Sequence, residues 1–109
     1  NHALTMVYAR ALMDDQKSHI AEEVLIKQSK QNPNDPALWY LLAEVQGLSG
    51  NIIGLHQSRA EYFILNGILD QAEKQLTYAL KLTQGDFVTT AKIRQRVEDI
   101  SSIRETMKF

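Results

Sequence analysis

Apolar residues recur along this chain at helical spacing, and short polar breaks divide them into six stretches. In residues 3 to 14, Ala3, Leu4, Val7, Tyr8, Ala11 and Leu12 share the period of a helix. Beyond Asp14 and Asp15 a second stripe runs through Ile20, Ala21, Val24, Leu25 and Gln28. Proline disfavours a helical residue before it, so this first hairpin ends at Asn32 and Pro33; Asp35 and Pro36 then restart the chain as N-cap and first-turn proline. The third helix runs to about Ser49. Gly50 suits a left-handed C-terminal position, Asn51 caps a fourth helix over 52 to 66, and Gly67 repeats the device after Asn66. A fifth helix over 69 to 83 stops at Gly85, and Asp86 caps a last long helix with Val97, Ile100, Ile103 and Met107 on one face. The expected turns are Asp14 to Gln16, Gln31 to Asp35, Gly50 to Asn51, Gly67 to Ile68 and Gln84 to Asp86. With no strand-like alternation and such short joins, neighbours must be antiparallel. The expected fold is all-α: a single domain over 1–109, with about six antiparallel helices and a C-terminal capping helix.

A longer pattern overlies these helices. Ala60, Phe63, Gly67, Ala72, Leu76 and Ala79 have the spacing of the tetratricopeptide repeat, whose paired helices meet through small residues. Pro33, Pro36, Trp39, Leu42, Ala43 and Gly50 repeat its first half, with Trp39 expected inside the hairpin. Gly50 and Gly67, however, lie only half a repeat apart. Helix four therefore either serves two neighbours, or the C-terminal part folds back as a cap; a distorted array with the last helix covering its end is the favoured expectation.

At 109 residues and 44% hydrophobic content the chain can hold roughly three such helix pairs. A net charge of -1 provides no basic footprint for nucleic acid. The absence of cysteine rules out disulfides and thiolate chemistry. No apolar run is long enough to span a bilayer. The first residue is Asn1 inside a helical pattern, so the chain is expected to be a piece of a longer polypeptide.

Candidate chemistry is sparse. His2, His19 and His56 lack the one-turn spacing of a zinc-binding pair, and Ser58, Thr77 and Ser101 lack an activating context. The adjacent acids Asp14, Asp15 and Glu22, Glu23 diverge around a helix, and Gly47, Gly50 and Gly54 lack the strand and Lys-Ser/Thr of a phosphate loop. No catalytic, metal or cofactor residues are expected, which leaves recognition. In a tetratricopeptide array the first helix of each pair lines the concave face. The contact candidates there are Met6, Arg10 and Met13 from helix one and Tyr40, Glu44 and Leu48 from helix three, with Gln57, Glu61 and Ile64 added if helix four takes first-helix geometry; Met13, Leu48 and Ile64 are equally read as packing residues between neighbouring hairpins.

The run Arg59-Ala60-Glu61-Tyr62-Phe63, then Gly67-Ile68-Leu69-Asp70-Gln71-Ala72, after Asn34 to Ala43, resembles the C-terminal repeat domain of the beta-barrel assembly-enhancing periplasmic proteases. These are M48-family zinc metallopeptidases of Gram-negative bacteria, and the resemblance covers about residues 8 to 107. It implies a periplasmic interaction domain that docks on the outer-membrane barrel-assembly machinery and on assembling barrel proteins. The family's zinc site has no counterpart in these residues, so no catalytic role carries over. Gln46, Leu55, Arg59 and Gln84 depart from the repeat pattern. The rival expectation is a generic repeat adaptor or co-chaperone module gripping acidic C-terminal peptides; Glu44 and Glu61 on one face would repel such a carboxylate.

Overall fold

Capping chemistry sets most of the helix ends. In the computed structural model, which describes residues 1–108, the helices are α1 (His2–Asp14), α2 (Ser18–Gln31), α3 (Pro36–Ser49), α4 (Ile52–Leu65), α5 (Leu69–Leu82) and α6 (Phe87–Thr106). Asn1, Asp35, Asn51 and Asp86 each accept a hydrogen bond from a first-turn backbone N–H. Gly50 takes φ 84° at the end of α3, a left-handed value that costs other residues strain. Each helix packs on its sequence neighbours, most extensively in α3 on α4 and α4 on α5, within a slab of 45 × 35 × 19 Å. The described residues contain no strand, and the architecture is an all-α array of adjacent packed helices.

Two hydrophobic cores hold this slab together. The first joins α1, α2 and α3 through Ala9, Leu12, Met13, Ala21, Leu25, Leu41, Leu42 and Val45. The second joins α4, α5 and α6 through Ala60, Leu69, Ala72, Leu76, Ala79, Ile93 and Ile100. Helix α4 serves two neighbours, the first of the two arrangements its half-repeat spacing allows, and α6 covers the open side of α5. Between the cores lies a polar seam, where the buried Ser58 hydroxyl donates to Gln46 Oε1 at 2.6 Å. Gly54, one turn before Ser58, lets the helices approach there. A Cβ at Gly54 would lie 2.6 Å from both Gln46 Nε2 and Asn51 Nδ2.

Two stripes differ from their expected faces. Leu4, Val7 and Tyr8 of α1 are exposed, and the buried face is instead Met6, Ala9, Leu12 and Met13. Both sets repeat at helical spacing, and the one that turns into the first core is the one containing the fully buried Ala9. In α6 the buried stripe begins at Ile93 and continues through Val97, Ile100 and Ile103, whereas Met107 lies beyond the helix and is exposed.

The N-cap of α3 is also a junction. His2 Nδ1 lies 2.8 Å from Gln28 Nε2, and its Nε2 lies 2.6 Å from Asp35 Oδ2. With the Gln28 amide donating to Nδ1, Nε2–H donates to Asp35, tying the starts of α1 and α3 to the end of α2. That hydrogen bond from His2, above all, holds the Asp35 carboxyl below its usual value of 3.8, against a smaller opposing effect of burial.

Two outcomes follow from this packing. Gln46→Ala should lower stability in urea unfolding by about 1–3 kcal/mol, because Ser58 is left buried without its acceptor, whereas Gln46→Leu with Ser58→Ala should recover most of the loss. Because the Asp35 pKa is depressed in the folded chain, its contribution is present above the unfolded value and lost as pH falls through the folded one. Acid unfolding below about pH 4 should therefore be shallower in Asp35→Asn, as followed by circular dichroism.

Candidate functional site

Residues on α4 point to two sides, since successive positions are rotated by about 100°. Gln57 and Glu61 face one way, and Arg59, Tyr62 and Phe63 face nearly the opposite way. Each side has its own groove.

The first groove, of 490 Å³, runs between α2 and α6 over α3 and α4, with Trp39, Gln46, Gln57, Glu61 and Arg96 among its walls. Trp39 is half-buried at the edge of the first core, not enclosed within the hairpin as the repeat pattern predicts. Its Nε1–H is committed to the Pro33 carbonyl at 2.8 Å, which turns an edge of the indole toward solvent. Across the groove, Arg96 grips Glu61 with two hydrogen bonds of 2.8 Å and reaches Asp99 at 3.1 Å. The Glu61 hydrogen bonds, opposed in part by burial, push the Arg96 guanidinium above its already high ordinary value. Asp99 is held below the usual carboxylate range by Gln95 first and Arg96 second. Glu61 is thus the anchor of a strap between α4 and α6.

The second groove lies across α1, α3 and α4. One part, of 620 Å³, is lined by Met6, Val7, Arg10, Tyr40 and Tyr62 among others; an adjoining slot of 270 Å³ is lined by Tyr40, Ala43, Glu44, Arg59, Tyr62 and Phe63. The Tyr40 and Tyr62 rings meet at 5.5 Å and those of Tyr62 and Phe63 at 5.7 Å, both tilted as aromatic quadrupoles prefer. Tyr40 is nonetheless 62% exposed. Arg10 lies 3.7 Å from Glu44, a loose surface pair, and Arg59 makes no hydrogen bond or ion pair among the described residues.

The structure therefore divides the candidates. Arg10, Tyr40 and Glu44 come together on the second groove, with Met6. Met13 is 8% exposed in the first core and is a packing residue, because the α1 stripe that turns inward is the one that contains it. Leu48 is exposed and lines neither groove. Gln57 and Glu61 lie on the opposite side from Tyr40, and Ile64 packs on the second core. Placing all of these on one face treated α4 as the first helix of a pair, whereas its position after α3 turns Arg59 and Tyr62 toward Tyr40 instead. The sequence signal for that was present in Arg59, Tyr62 and Phe63, which recur at helical spacing. Electrostatics change as well. Glu61 is turned away and bound to Arg96, so the Tyr40 face holds two arginines against one glutamate.

Elsewhere, His56 Nδ1 lies 2.8 Å from Gln75 Oε1 and its ring stands 5.5 Å from Tyr78. Glu22 accepts from Ser49 and Asn51, tying α2 to the α3–α4 turn. Among the described residues no group of three or more His, Asp or Glu side chains could hold a metal ion, and no helix is long and apolar enough to cross a membrane.

No protein-family model matches the chain. Over 102 residues, 94% of its length, it is 29% identical to a Vibrio cholerae protein named as a beta-barrel assembly-enhancing protease. The match spans 21% of that protein, so the chain corresponds to about a fifth of its relative.

The half-buried setting of Trp39 sets a measurable cost. Trp39→Ala should lower stability by about 2 kcal/mol in urea unfolding, less than the roughly 3–5 kcal/mol of a fully enclosed indole.

Proposed function

We propose that this chain is a partner-binding module of a longer barrel-assembly protease, and that it docks that protease on the outer-membrane barrel-assembly machinery or on assembling barrel proteins in the periplasm. The observation that carries this reading is the aromatic groove formed by the exposed Tyr40 and the half-buried Tyr62 and Phe63, flanked by Arg10, Arg59 and Glu44. Aromatic and guanidinium groups dominate interface hot spots. Strands of outer-membrane barrels alternate apolar and polar side chains and carry aromatic girdles. An unfolded barrel strand laid across α1, α3 and α4 would set alternate apolar side chains against the rings and turn its polar ones to solvent. The similarity to the Vibrio cholerae protein supports the barrel-assembly context. Catalysis belongs to the rest of such a protein in this reading.

A generic peptide-binding adaptor is the second reading, and one observation favours it. With Glu61 bound to Arg96 on the other side, the repulsion expected against a peptide carboxylate is largely removed.

The test is binding of an unfolded outer-membrane barrel segment, followed by fluorescence anisotropy. Tyr40→Ala should weaken it roughly thirtyfold, the size of a hot-spot truncation, while leaving thermal stability nearly unchanged. Glu98→Lys, on the exposed face of α6, should leave affinity intact. Equal binding by the Tyr40 variant would refute the groove, and equal affinity for a composition-matched segment from a non-barrel protein would favour the adaptor.

A further inference from the structure

We propose that the slot between α3 and α4 recognises the C-terminus of a polypeptide whose last residue is aromatic, taking the ring between Tyr40, Tyr62 and Phe63 and the terminal carboxylate on Arg59. The proposal rests on the reading of the Tyr40 face as the partner-binding surface and names the chemistry it selects.

Size limits the occupant first. Ligand pockets usually enclose about 300–1,000 Å³. At 270 Å³ this slot falls just below that range and fits one large side chain. Ala43, 6% exposed, also lines the slot and contributes only a methyl group beside the rings. Aromatic walls at tilted angles favour a further ring over a polar group.

Charge limits it further. Arg59 stands at the rim with no partner among the described residues, and Glu44 lies toward Arg10 at 3.7 Å. With Arg10, Arg59 and Glu44 the rim carries one net positive charge. A guanidinium presents a planar fork that fits a carboxylate with two hydrogen bonds. The ligand therefore combines a ring with an anion close beside it.

In an extended peptide the residues on either side of a buried ring point to the opposite face, so a neighbouring Asp or Glu would carry its charge away from the slot. The terminal carboxylate has no such problem. It sits on the backbone of the aromatic residue itself and stays at the rim when the ring enters. Capture of chain termini by fixed donors is an established recognition mode.

The experiment uses a fluorescein-labelled extended peptide ending in phenylalanine, as the free acid and as the C-terminal amide, titrated with the full chain. The acid should bind about tenfold more tightly than the amide, in keeping with a charge-assisted bidentate contact. Arg59→Gln should erase that difference; Arg59 is exposed and makes no hydrogen bond or ion pair among the described residues, and circular dichroism checks that the variant folds. Glu44→Gln should tighten the acid several-fold and leave the amide unchanged, because it removes the one negative charge at the rim. Equal binding of acid and amide, with Tyr40→Ala weakening both, overturns the terminal readout and leaves the groove reading standing. Binding of neither peptide, or binding indifferent to Tyr40→Ala, overturns the slot as a peptide site. A preference for the acid that survives Arg59→Gln assigns the carboxylate to another cation and overturns the role given to Arg59.

Discussion

The rest of the structure depends on the α3–α4 interface, where Ser58 and Gln46 make a buried polar contact. The buried hydrophobic clusters on either side of it do not merge: one belongs to α1, α2 and α3, the other to α4, α5 and α6. They are joined by the packing of α3 on α4, which includes the Tyr40–Tyr62 ring contact and a hydrogen bond of 2.6 Å between the buried Ser58 and Gln46, with Gly54 one turn away letting the helices come close. A buried hydroxyl or amide without a partner costs about 1–3 kcal/mol, so each of the two residues fixes the position of the other. An apolar seam of equal area would tolerate sliding. A polar one accepts a single register.

That register decides what α4 can do. Gly54 and Ser58 occupy its α3 side, while Ala60 enters the second core beside Ala72 and Leu76. Small residues on two sides allow close packing against two neighbours, which is how a half-repeat slip is absorbed without breaking the stack. The remaining surface of the helix is then divided. Glu61 turns toward α6 and is held by Arg96, while Arg59 and Tyr62 turn toward α3.

Much of this was legible in the sequence, because local rules and tertiary packing agree along most of the chain. Asp35 before Pro36, Asn51 after Gly50 and Asp86 after Gly85 fix helix ends by satisfying first-turn N–H groups or allowing a left-handed backbone, and neither effect needs a distant partner. Faces were less legible. Helix α1 carries two overlapping stripes, and only packing into the α1–α2–α3 core selects the buried one. On α4 the spacing of Ala60 and Phe63 reads as the first helix of a pair, while the chain order makes it the second helix after α3. Both descriptions hold, and a one-dimensional pattern has no term for a helix shared between two hairpins. Arg10, Tyr40 and Glu44 were found because α3 is unambiguous; Arg59 and Tyr62 depend on how α4 is turned.

The two grooves that result differ in how ready they are to bind. In the Trp39 groove most polar groups are already engaged: Arg96 has two carboxylates and the indole N–H has the Pro33 carbonyl, while Lys92 among its walls makes no ion pair among the described residues. A ligand there would have to compete with hydrogen bonds made inside the chain, in a partly buried setting where such pairs are strongest. On the Tyr40 face the one ion pair among the described residues is exposed and 3.7 Å long, a kind of contact that contributes about 0–1 kcal/mol at most, and Arg59 has no pair among those residues to give up. Its rings already touch one another at tilted angles, which presents an aromatic surface to a partner. The pair of Arg96 and Glu61 ties α4 to α6, and because Glu61 sits on the far side of α4 its charge does not offset the arginines of the Tyr40 face.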